Sequence, residues 1–65
     1  MLEDNQLIMH DSITGKDVVA TLLSSNEDTG VIMGKAENGT FLSNKVSEII
    51  KINTDENIAR VLGNE

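Results

Sequence analysis

The chain has no cysteine, proline, tryptophan or tyrosine, and only one phenylalanine and one histidine in 65 residues. Without cysteine it lacks the disulfide staples of small secreted domains and any thiolate chemistry. One histidine and no cysteine also exclude the usual structural zinc sites. With Phe41 as the sole aromatic, there is no set of stacking rings for single-stranded nucleic acid and no aromatic groove for proline-rich peptides. Long hydrophobic runs are missing too. The apolar run Leu7 to Met9 is far too short for an export signal or a membrane span, and Glu3 and Asp4 stand where a signal peptide carries positive charge. The expectation is a cytoplasmic chain with no membrane contact.

Basic residues are scarce as well. Eleven acids face five bases, giving a formal charge of -6 and a pI near 4.5. Such a charge repels phosphate backbones, so direct nucleic-acid binding is not expected. It suggests a different relation to nucleic acid, in which carboxylates imitate phosphates and block the cleft of a DNA-processing enzyme. The acids that would form that surface are Asp11, Asp17, Glu27, Asp28 and Glu37. Only Glu27-Asp28 and Asp55-Glu56 are adjacent internal pairs, and lysines interrupt the pattern, so solubilisation explains the charge more simply.

What is present reads as one small domain over residues 1–65, with loose ends at 1–5 and 64–65. A domain of this size buries a modest fraction of its surface, so a compact core, self-association or a partner must hold it together. Gln6 to His10 reads as a first strand, followed by a turn of Asp11, Ser12 and Gly15 composition. Lys16 to Ser25 is rich in Val, Thr and Leu, and both of its alternating sets are largely apolar. That pattern fits a bent strand whose halves face different layers. Residues 26–30, NEDTG, form a turn cluster, and VIMGKA (31–36) is the next strand, with Gly34 marking a bulge or bend.

Asn38-Gly39 has the composition of a two-residue hairpin turn with both central residues at positive φ, flanked by Glu37 and Thr40. The strand after it would carry Phe41 into the core. Asn38-Gly39-Thr40 also matches a glycosylation acceptor, which is accidental without an export signal. VSEIIKI (46–52) is dense in β-branched residues and reads as a strand; in the alternative, an α+β domain, residues 44–52 are helical. Thr54 is a suitable N-cap with Asp55 and Glu56 in the first turn, Ile58, Val61 and Leu62 share a side, and Gly63 can end the helix in a left-handed conformation. The expected fold is therefore mainly β: a small curled antiparallel sheet or open SH3-like barrel of four to five strands with a short C-terminal helix.

No catalytic set emerges. Five serines (Ser12, Ser24, Ser25, Ser43, Ser47) share one histidine, His10, and no G-x-S-x-G elbow is present. DSITGKD puts Gly15 in the fifth position rather than the sixth of a calcium loop. Gly15-Lys16 and Gly34-Lys35 lack the rest of a nucleotide loop. No cofactor, metal or catalytic residue is expected. What remains is recognition of a protein, with Met9, Val19, Leu23, Met33 and Ile49 as aliphatics in excess of one tiny core and as contact candidates. The leading expectation is a non-enzymatic accessory or inhibitory protein, of the kind carried by phage and mobile elements, that binds another protein or a second copy of itself. The acidic mimic comes second, and a subunit of an oligomeric enzyme third.

Overall fold

A computed structural model describes residues 2–63. Four strands, β1 (Gln6–Asp11), β2 (Lys16–Asn26), β3 (Val31–Ala36) and β4 (Phe41–Lys45), are followed by two helices, α1 (Val46–Ile52) and α2 (Asp55–Val61). The strands form one antiparallel sheet in the order β1-β2-β3-β4, each paired with the next in sequence. The domain is mainly β with a helical C-terminal part, as the sequence predicts.

Two of the three hairpins use the same turn. Asp11 and Asn26 each accept a hydrogen bond at the backbone carbonyl from the glycine four residues on, Gly15 at 2.7 Å and Gly30 at 2.8 Å. Each also accepts at its side-chain oxygen from the amide two residues on, Ile13 and Asp28. Thr14 and Thr29 then accept from Lys16 and Val31, which start the next strands. Both glycines take a positive φ that a side chain would disfavour. The shared spelling, Asp/Asn-x-x-Thr-Gly, is legible in DSITGK and NEDTGV once it is looked for.

The third hairpin departs from expectation, with consequences along β4. Gly39 donates to the Ala36 carbonyl and the Ala36 amide donates to Thr40, so the loop has three residues, Glu37 to Gly39. Gly39 has positive φ and Asn38 does not, which is a type I turn closed by a glycine bulge rather than a two-residue turn. The side chain of Asn38 accepts from the Thr40 amide and holds the corner. One added loop residue pairs Phe41 with Lys35 instead of Ala36. Because strand side chains alternate, that shift turns Phe41 outward and Leu42 and Asn44 inward. Phe41 is 66% exposed, not a core residue.

The core consists of Leu7, Met9, Ala20, Ile32, Ala36, Leu42 and Ile49. Gly34 contributes by what it lacks. A Cβ there would stand 2.5 Å from the Met9 sulfur and 3.0 Å from the Thr21 carbonyl oxygen. The bulge that Gly34 suggests lies across from it, in β2 between Leu22 and Ser24. It shifts parity, so Val18, Ala20 and Leu22 meet the core while Ser24 and Asn26 pair with the outward Met33 and Val31.

Residues 46–52 are helical, so the strand reading of this segment gives way. The Glu48 carboxylate accepts from the Lys45 amide at the helix start, and Lys51 lies in the last turn. Burial decides against the β-branched preference: a helix puts Ile49 fully into the core, whereas a strand would have turned it out beside Ser47 and Lys51. In α2, Thr54 caps by accepting from Asn57, and Ile58, Val61 and Leu62 pack against the core. Gly63 donates to the Ile58 and Ala59 carbonyls without the positive φ expected of it.

Of the ends expected to be loose, Met1, Asn64 and Glu65 lie outside the described residues. Glu3 to Asn5 form a hydrogen-bonded turn into β1. Arg60 reaches back to it, donating to the carbonyls of Asp4 and Gln6 and to the side chain of Asn57.

Candidate functional site

The two edge strands of a meander ordinarily leave backbone groups open to new strands. Here β1 and β4 curl toward one another, and side chains fill the outer edge of β1. Asn44, buried and pointing inward from β4, accepts from the His10 amide at 2.7 Å and donates to the His10 carbonyl at 3.0 Å and to its neighbour Ser43's carbonyl at 2.8 Å. Two residues back along β1, Asn53 accepts from the Ile8 amide and donates to the Ile8 carbonyl, both at 2.8 Å, and also donates to the Ile49 carbonyl. Arg60 takes the Gln6 carbonyl. Each asparagine amide thus stands in for a peptide group of a missing strand. Strand addition at β1 has no unmet backbone to use.

The contact candidates read from the sequence are side chains, and the fold separates them. Of the five contact candidates, Met9 and Ile49 are fully buried and cannot touch a partner in the folded chain. Met9 belongs to the inward set Leu7, Met9, Asp11 of β1, and Ile49 to the inward side of α1. Val19 is half-buried opposite Ile8. Leu23 and Met33 are exposed, at 51% and 44%. Leu23 stands at the bulge beside Ser24, the cross-strand partner of Met33. Sequence reasoning missed the companion of Met33, which is Phe41. In the β3–β4 register Met33 faces Ser43 and Lys35 faces Phe41, so Met33 and Phe41 are diagonal neighbours on the outer face. The Lys35 ammonium sits over the Phe41 ring, 5.5 Å from its centre.

The acidic set does not assemble. Asp11 is 7% exposed, with its carboxylate engaged in the β1–β2 turn, and leaves the proposed surface. Asp17 faces His10 across the outer face, with Oδ1 2.9 Å from the ring Nδ1. Glu37 lies in the β3–β4 turn near that end of the sheet, while Glu27 and Asp28 lie at the opposite end of β2. Roughly 30 Å of strand separates the two groups. Among the described residues, no three His, Cys, Asp or Glu side chains converge as metal ligands, and no helix is long and apolar enough to cross a membrane.

Two hollows mark the ends of the sheet. A groove of about 440 Å³ runs between the β2–β3 turn and the helices, walled by Ile32, Val46, Ile50, Ile58, Val61 and Leu62. Apart from Ile50, these are the side chains that close the core at that end. The other hollow, about 200 Å³, lies beside Asp11, Val18 and Ala36. Ser25 and Glu27 also line the larger groove, with no hydrogen bond between their side chains, and the smaller one is lined by no serine or histidine.

No family model matches the chain, and comparison with curated proteins and with solved structures gave no match.

Proposed function

We propose that this chain is a binding module that recognises another protein through the outer face of its sheet, not through catalysis. The observation that carries this reading is the outward placement of Leu23, Met33 and Phe41 on a sheet whose β1 edge is already satisfied by side chains. Three large apolar side chains held in water on one sheet are what a partner would cover. The other exposed ones, Ile13 in the β1–β2 turn and Ile50 on α1, lie off that sheet. The rigid ladder beneath the three keeps the ordering cost of binding low. Such a surface supports an accessory or inhibitory role, because that role needs only a face for a partner to cover.

The test is paired affinity capture from the native cell, with the wild-type chain and a Leu23→Ser, Met33→Ser, Phe41→Ser variant as baits. A protein recovered only by the wild type, with both baits melting within a few degrees of one another, supports the face. An identical captured set from both baits rules it out.

A further inference from the structure

The outer face of β3 and β4 differs in charge from the rest of the molecule. Its residues are Val31, Met33, Lys35, Phe41, Ser43 and Lys45, and the β2 residues paired beside them are Thr21, Ser24 and Asn26. This face holds two of the five basic side chains and no carboxylate, in a chain of net charge -6. Among the described residues neither Lys35 nor Lys45 forms an ion pair. The lysines lie at opposite corners of the apolar pair. Lys35 is opposite Phe41 at one end, Lys45 is opposite Val31 at the other, and Met33 lies between. Four strand positions separate the two rows, about 13 Å by strand rise.

Building on the face proposed above, we infer that the partner presents an acidic segment with an apolar side chain between two carboxylates. The apolar group lies on Met33 and the open side of Phe41, and the carboxylates meet Lys35 and Lys45. In an extended segment the acids would stand about four residues apart, the spacing of the lysines. Charge complementarity of this kind sets orientation at short range more than it adds affinity.

The same charges argue against other occupants. Two copies meeting by this face would bring four lysines together without a carboxylate among them. A nucleic-acid strand would find one ring for stacking and two lysines for its phosphates, and its backbone offers no apolar group to Met33.

The experiment selects randomised displayed peptides on the immobilised chain and titrates the enriched ones into labelled protein by NMR. Enriched peptides should carry Asp or Glu flanking an aliphatic or aromatic residue and shift the amides of Met33, Lys35, Phe41, Ser43 and Lys45. The Lys35→Glu, Lys45→Glu variant should weaken them by about tenfold or more, and raised salt should weaken them as well. If Met33→Ser with Phe41→Ser abolishes binding while charge reversal leaves it unchanged, the acidic partner is wrong and the face stands. If neither variant matters, or no peptide is enriched, both readings fall. Two further results overturn the inference: binding of labelled oligothymidylate on the same amides, and a dimer in sedimentation that Lys35→Glu dissolves.

Discussion

The side-chain amide of Asn53 exchanges two hydrogen bonds with the backbone of Ile8, 45 residues earlier in the chain, each at 2.8 Å. It makes the pair of bonds that a neighbouring strand would make, and its third bond, to Ile49, fixes it to α1. The end of α1 and the middle of β1 are therefore one hydrogen-bonded unit.

Removing the donor from that unit should be expensive. Asn53→Asp keeps the shape but leaves the Ile8 and Ile49 carbonyls facing a carboxylate, and a loss of about 2–3 kcal/mol is expected. Asn38→Asp, at an exposed corner where only the oxygen accepts, should change stability by less than about 0.5 kcal/mol. Urea unfolding of the two variants checks the contrast, and equal effects would refute the role given to the Asn53 amide.

Asn44 and Asn53 serve alternate residues of one edge, so exchange should report them separately. The Ile8 and His10 amides should be protected from hydrogen exchange in the native chain although no strand pairs with them there. Asn53→Ala should release Ile8 before His10, and Asn44→Ala the reverse. The double variant exposes the β1 edge and should associate with rising concentration, visible by sedimentation.

Met9 and Phe41 exchange the roles that their sequence positions suggest. Met9→Ala should destabilise by about 2–4 kcal/mol, because the side chain is fully buried over Gly34. Phe41→Ala should cost less than about 1 kcal/mol, since the ring stands on the outer face. Comparable losses in thermal melts would place Phe41 back in the core.

Gly34→Ala should destabilise by about 1–3 kcal/mol, since the new methyl presses on the Met9 sulfur and the Thr21 carbonyl. A Met9→Ala background vacates the first of these contacts, so the two losses should be less than additive. Strict additivity in the double-variant cycle would show that Met9 is not what Gly34 accommodates.

Gly15→Ala and Gly30→Ala meet no neighbouring atom, so their effect should be the backbone term alone, about 1–2 kcal/mol each. Asparagine tolerates the left-handed region better than alanine, so Gly30→Asn should recover part of the loss. Thermal melts of the three variants check the order.

Much of the sheet was legible because its punctuation is local. Asp11 with Gly15 and Asn26 with Gly30 form turns from side chains and φ preferences within five residues, and Thr54 caps α2 on the same scale. Those signals place three strands and the last helix without reference to the rest of the chain. The face was legible only in part: Leu23 and Met33 stood out as excess aliphatics, while Met9 and Ile49 were indistinguishable from them by composition.

The remainder depended on partners distant in sequence. A loop of three residues instead of two pairs Phe41 with Lys35, and the strand's alternation turns that one step into an inverted β4. Residues 46–52 have the composition of a strand, yet burial of Ile49 and the fit of Asn53 to Ile8 favour a helix. The amino-acid sequence by itself determined where the chain turns, because a turn is settled by a few neighbouring torsions and hydrogen bonds. Which side chains face inward, and how the β1 edge is closed, were decided by tertiary structure, because alternation and edge pairing are set by strands and helices that meet only after the chain has folded.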